Sequence, residues 1–128
     1  YLSGCAARIL LENGFSVIAD RGNGSFISYN ASLGMDRRWL MRLLDAANLG
    51  IVPDLTILID LPVDSAKKRV ESRNKKNRFD LVGKDQMERQ RQHFLSLAED
   101  QPNWIIVGGS ASKESISQRI AQEIKERR

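Results

Sequence analysis

Asp20-Arg21 sets a carboxylate beside a guanidinium at the end of a short apolar run. Arginine suits two-pronged contact with phosphate, and aspartate suits Mg²⁺, a coordinated water or a substrate hydroxyl. The same pair equally makes a surface ion pair after a strand. The Gly22-Asn23-Gly24-Ser25 run that follows lets a backbone approach a ligand closely, as the same residues do in an ordinary loop. A second group is cationic: Arg73-Asn74-Lys75-Lys76-Asn77-Arg78 holds four cations and no acid. Such a loop repels itself unless an anion joins it, which fits closure over polyphosphate; the plainer alternative is a solvated charge run. A third group, Gly108-Gly109-Ser110, leaves an apolar strand. Asp60 reads as a buried, hydrogen-bonded structural residue. Arg91 falls on the apolar side of a helix and so points into protein or ligand. His93 lies off that stripe and reads as a solvated helix residue.

These residues need elements to hold them. Residues 2–13 read as a helix stopped by Gly14, and Phe15-Ser16-Val17-Ile18-Ala19 as a strand running into Asp20. A Gly- and Ser-rich loop with helical turns spans residues 21–34. Asp36 caps a helix whose apolar face is Leu40, Leu43, Leu44 and Ala47, with Trp39 and Trp104 as packing residues. Leu55 to Leu61 reads as a strand buried on both faces, interrupted by Asp60. Pro62 and Asp64 start a helix to about residue 73, with Asn74 as its stop, and a basic loop reaches Gly83. Residues 84–100 form a long helix with Met87, Arg91, Phe94, Leu95 and Ala98 on one side. Residues 104–107 make a third buried strand, and Ile116, Ile120 and Ile124 stripe a last helix. Short apolar strands separated by helices imply an α/β fold, an open doubly wound parallel sheet with helices on both faces. Ligands in such sheets sit at the carboxyl ends of the strands, where Asp20-Arg21, Asp60 and Gly108-Gly109-Ser110 all fall.

The 128 residues suffice for one modest domain and are too few for two. With 41% hydrophobic and 28% charged residues the chain is an ordinary globular sequence, not a disordered one. No apolar run approaches the roughly 20 residues that span a membrane, and Tyr1-Leu2-Ser3-Gly4-Cys5 lacks the pattern of a signal peptide. Cys5 is the only cysteine, which suits a reducing, cytoplasmic location, and one His with one Cys excludes a zinc site built from those ligands. The net charge of +4 is unevenly spread: ten of the 20 Lys and Arg fall between Lys67 and Arg91 against four acids, so that segment carries +6 and the remainder −2. Without an interleaved aromatic platform, this segment does not read as a nucleic-acid surface. The sequence also carries no Gly-x-x-x-x-Gly-Lys-Ser/Thr, the loop whose amides hold phosphates in phosphoryl-transfer enzymes on this kind of sheet.

Taken in order, the motifs resemble those of thymidylate kinases. Asp20-Arg21-Gly22-Asn23-Gly24-Ser25-Phe26-Ile27-Ser28-Tyr29-Asn30 is similar to that family's Asp-Arg-Tyr…Ser-Ser/Thr…Ala-Tyr-Gln segment. Residues 53–64 are similar to its central strand. Arg69, Arg73, Arg78-Phe79-Asp80, Arg89-Gln90-Arg91 and Phe94-Leu95 fall in its lid-and-helix spacing. The resemblance covers nearly the whole chain and implies a P-loop NTPase-like nucleoside monophosphate kinase, N-terminally truncated. Residues 1–128 would be a partial domain with its lid at about 73–83, lacking the N-terminal segment that bears the phosphate loop. The implied reaction is ATP- and Mg²⁺-dependent phosphorylation of dTMP to dTDP, by a parent that is homodimeric, cytoplasmic and independent of nucleic acid and membrane.

By the same resemblance, Asp20 helps position the monophosphate and Mg²⁺, and Arg21 contacts the substrate phosphate. Ser25, Phe26, Tyr29 and Asn30 line the nucleoside pocket, with Tyr29 near the sugar. Arg73 lies against adenine, Gly108-Gly109-Ser110 forms the opposite wall, and Arg78 stabilises charge on the transferred phosphoryl group. Several positions depart from the family. Gly22 stands where an aromatic or His is usual, and Phe26 replaces a hydrogen-bonding residue at the base. Asn30 stands for Gln, while Asn77 and Gly108 each stand for Asp. The alternatives are another nucleoside monophosphate kinase of this fold, or a non-catalytic nucleotide-binding or interaction module. The 128 residues alone are expected to be inactive, marginally stable and exposed along their sheet.

Overall fold

Helix endings organise the first part of the chain. The computed structural model describes residues 4–72 and 82–127, which divide into two compact units, Tyr1–Pro53 and Asp54–Arg128. In the first unit α1 (Gly4–Glu12) stops at Gly14, as its sequence predicts. Gly14 takes φ +80°, its N–H donates to the Leu11 carbonyl at 3.0 Å, and the Phe15 N–H donates to Leu10 at 3.0 Å. A left-handed residue closes the last carbonyls in this way, and glycine adopts that conformation without a Cβ penalty. Gly34, at φ +94°, closes α2 (Asn23–Ser32) by the same pair of bonds.

The helical turns expected inside the loop over residues 21–34 are a continuous helix, α2, that takes up most of it. The small residues that read as a loop are what allow its close packing. Gly24, Ser28, Ala31 and Ser32, with Ile27, form one buried face, and α2 packs on α3 (Arg37–Ala47). Asp36 caps α3 as expected, its Oδ1 accepting from the Trp39 N–H at 2.8 Å. Of the expected apolar face of α3, only Leu40 and Leu44 are buried; Leu43, Ala47 and Trp39 are exposed, so Trp39 is not a packing residue here. Asn48, just after α3, donates from Nδ2 to Asn23 Oδ1 at 3.0 Å, and Arg8 of α1 donates to the Leu49 carbonyl at 2.6 Å. The C-terminal end of α3 thus anchors both other helices.

The expected strand at residues 15–19 is not formed among the described residues. A strand is stabilised by the neighbour it pairs with, and the formed elements of this unit are all helices. Its apolar side chains face solvent: Phe15 is 59% and Ile18 95% exposed.

The second unit contains β1 (Thr56–Asp60), α4 (Val63–Glu71), α5 (Lys84–Asp100), β2 (Trp104–Gly108) and α6 (Lys113–Glu126). Strands β1 and β2 pair in parallel, Thr56 opposite Trp104 through Asp60 opposite Gly108. Helix α5 packs on both strands and α6 on β2, with Val63, Leu97 and Val107 buried. The strand–helix–strand pattern is as expected, whereas among the described residues the larger doubly wound sheet is present as two strands. Contrary to expectation, β1 is not buried on both faces: Ile59 is 51% exposed, and Ile106 of β2, on the opposite face, 50%, so the described helices leave part of each face uncovered. On α5, Met87, Arg91, Phe94, Leu95 and Ala98 are half-buried as a set, as is His93, which the sequence reads as solvated. The best-buried residue of that helix is Leu97, outside the expected stripe. Helix α6 is capped by Ser112, whose Oγ accepts from the Ser115 N–H at 3.2 Å. Ile116 and Ile120 are half-buried, while Ile124 is exposed and Glu123 is buried instead, between Arg119 and Arg127.

Candidate functional site

The Asp20–Asn30 group lies in the first unit, on one turn and one helix. Arg21 takes φ 59°, a left-handed conformation uncommon for a residue with a side chain. Holding such a residue there costs of order 1 kcal/mol; such residues are enriched at functional sites, although Leu49, after α3, takes the same conformation at φ 54°. The turn delivers the chain to Gly22, the N-cap of α2, which offers no side-chain cap, and the first turn of α2 contains no acid. The partial positive charge at the start of this helix is therefore not offset by a side chain of its own first turn, an arrangement that favours an anion. Asp20 and Arg21 are both exposed beside it.

Helical spacing sorts the next four candidates. Ser25, Phe26, Tyr29 and Asn30 fall on the face of α2 opposite the one packed on α3, and all four are half-buried. Asn30 Nδ2 donates to the Phe26 carbonyl at 2.8 Å, so part of its donor capacity is engaged within the helix. Phe26 brings an apolar ring and no hydrogen-bonding group to this face.

The strand-end group lies in the second unit. Gly108-Gly109-Ser110 leaves β2 where expected, with Gly109 buried between exposed neighbours. The Gly109 N–H donates to the Asp60 carbonyl at 2.7 Å. A Cβ on residue 109 would lie 3.0 Å from that oxygen and 3.1 Å from Ile59 Cγ2, so a larger residue there would have to push β1 away by a few tenths of an ångström. The Gly109 carbonyl accepts from Arg69 Nη2 at 2.9 Å. Asp60, the last residue of β1, is joined to Arg91 of α5 by two hydrogen bonds: Nε donates to Oδ1 at 2.8 Å and Nη2 to Oδ2 at 2.9 Å. The hydrogen bonds from Arg91 are the main reason the Asp60 carboxyl is held below its usual range, partly opposed by burial. The same bonds raise the Arg91 guanidinium in turn. Asp60 is thus the structural residue expected of it, and Arg91 points into protein.

Arg69 is the residue that sequence reasoning left without a role. The signal was present. Pro62 starts α4 directly after β1, and side chains on a helix lean toward its N-terminus, so a long cation in the second turn of α4 can reach back to the strand ends. Arg73 and Arg78 lie outside the described residues, as does most of the proposed lid. Among the described residues no three or more His, Cys, Asp or Glu side chains gather to hold a metal. A single exposed carboxylate such as Asp20 still fits Mg²⁺, which commonly takes one or two carboxylates and completes its shell with water and substrate phosphate.

A thymidylate kinase family profile matches residues 7–120. The chain belongs to the thymidylate kinase family. It is 38% identical over 110 residues to a probable thymidylate kinase of Thermococcus onnurineus, covering 86% of this chain and 52% of that one. It is 36% identical over 118 residues to a thymidylate kinase of Desulfovibrio desulfuricans, covering 85% and 54%. A thymidylate kinase of Prochlorococcus marinus is 30% identical over 115 residues, covering 89% and 51%. The chain therefore spans about half the length of the curated relatives it matches. The thymidylate kinase family implies a P-loop NTPase fold, with which the described helices and parallel strand pair are consistent. No described helix is long and apolar enough to cross a membrane.

Proposed function

We propose that these residues serve ATP-dependent phosphorylation of dTMP to dTDP in the whole protein that carries them. The observation that supports it best is the Arg21 turn: an exposed arginine held at φ 59° beside the uncapped start of α2. It is a natural seat for a phosphate. In this reading Arg21 grips the dTMP phosphate and Asp20 orients it. Ser25, Phe26, Tyr29 and Asn30 hold the nucleoside along the outer face of α2. The Gly108–Ser110 loop and Arg73 flank the adenine of ATP, and Arg69 fixes that loop. Arg78 stabilises charge on the phosphoryl group in flight. A dTMP phosphate oxygen attacks the γ-phosphorus in line and ADP leaves, with positioning and charge stabilisation supplying most of the rate. Asp20 would help hold Mg²⁺, whose charge would offset that of the phosphates. The whole protein would work as a cytoplasmic homodimer.

One observation favours a second reading. Phe26 offers the base no hydrogen bond, which suits a nucleoside monophosphate kinase with a changed base preference. Turnover by the whole protein with dTMP, dUMP, UMP and CMP separates the two; dTMP among the poorest substrates would overturn the first. The 128-residue polypeptide assayed alone is expected to give no turnover of dTMP, since its sequence supplies no phosphate-cradling loop. Formation of dTDP by the purified polypeptide would contradict that.

A further inference from the structure

Asp60 makes two different connections. Its carboxylate is gripped by the fork of Arg91, and its main-chain oxygen holds the Gly109 N–H at 2.7 Å. Arg91 has little left for a ligand: Nε and Nη2 face Asp60, and Nη1 lies 3.5 Å from Glu88 Oε1. Although it belongs to the basic segment, this arginine commits two of its three side-chain nitrogens to Asp60. Nor does stability alone account for the pair. The two side chains are only 20% and 28% exposed, and an ion pair so placed gains little over a well-packed apolar pair because both charges lose water. What a two-pronged contact adds is orientation. It fixes residue 60 at the end of β1, where the Gly109 N–H binds, and ties that point to α5, the helix packed on both strands.

We propose that Asp60 and Arg91 are a positioning pair for the Gly108–Ser110 loop and act on the donor nucleotide, not on the phosphate acceptor. The claim rests on the reading of that loop as a wall of the ATP slot. Neither residue touches nucleotide; both act through Gly109. Loss of the fork lets residue 60 turn, lengthens the bond to Gly109 and blurs a surface that must meet a flat base closely.

The test uses the whole protein with Arg91→Gln and Arg91→Lys, the second keeping the charge without the fork. Gly109 amide exchange is followed by NMR, with the Leu44 amide of α3 as control, and ATP and dTMP affinities are measured by calorimetry. In Arg91→Gln the Gly109 amide is expected to exchange about tenfold faster while Leu44 is unchanged. ATP binding should weaken about tenfold with dTMP binding within about twofold of wild type. Arg91→Lys should shift the same two readouts in the same direction, and it carries the test if the Gln variant does not fold. Unchanged Gly109 exchange, or equal loss of both ligands, would overturn the proposal. If the wild-type protein binds neither nucleotide, the proposed function falls, and Gly109 exchange alone then decides whether the pair positions the loop.

Discussion

The two candidate groups differ in how their polar atoms are satisfied. At the strand ends of the second unit, Asp60, Arg69, Arg91 and Gly109 are joined by hydrogen bonds of 2.7–2.9 Å. In the first unit Arg21 stands in a costly backbone conformation, the start of α2 has no side-chain cap, and Ser28 Oγ is buried with no hydrogen-bond partner among the described residues. One region is pre-organised by its own contacts. The other keeps local costs of two kinds: an exposed turn and helix start at Arg21 and Gly22, and a hydroxyl sealed on the buried face of α2. Satisfied and unsatisfied polar groups thus occupy different segments of one chain.

The largest expected effect tests the unsatisfied side. Arg21→Gly relieves the left-handed strain, so the melting temperature of the whole protein should hold or rise, while kcat/KM for dTMP falls about 100-fold through loss of a charged phosphate contact. If activity and melting temperature fell together, the strain would not be tied to function. On the satisfied side, Gly109→Ala should cost about 1–3 kcal/mol in urea unfolding, since its Cβ meets the Asp60 carbonyl and Ile59 at about 3 Å. A neutral result would mean that the strand ends yield easily. Ser28→Ala should stabilise by about 1 kcal/mol, by removing a buried hydroxyl that makes no bond; a loss of stability would mean that Oγ finds a partner in the whole protein.

The smallest effect is in acid. Because the Asp60 carboxyl is held below the usual carboxylate range, its contribution is fully present above about pH 4 and is lost as pH falls through its lower folded value. Urea midpoints compared between wild type and Asp60→Asn should converge as pH drops below about 4. A constant gap would remove the ion pair as the cause. Asp64, lowered mainly by its hydrogen bond from Lys84, shifts the same way but is far more exposed, so water screens its contribution.

Helix α1 and the helices from residue 36 onward were legible because their signals are local: Gly14 as a stop, Asp36 as a cap, and the repeat that brings Arg91 onto the apolar side of α5; the Ser112 cap of α6 was not read from the sequence. Residues 15–19 carry a strand composition, but a strand needs a partner elsewhere in the chain. Helix α2 was obscured because Gly24, Ser28 and Ser32, which let helices pack closely, are also the residues of loops. The strand-end loop was placed correctly by position alone, whereas the Arg69 bond to Gly109 joins residues 40 apart and follows only from the parallel pairing of β1 with β2. The roles of Arg73 and Arg78 rest on resemblance, and these residues lie outside the described residues.

Asp60 holds Arg91 with its side chain and Gly109 with its main chain, and only the first of these can be altered by changing the codon. A survey of all substitutions at position 60 would therefore register the carboxylate and miss the carbonyl. The residue would score as less important than it is. Replacing the Gly109 amide with an ester, by chemical ligation or an α-hydroxy acid, deletes the second bond and leaves every side chain in place.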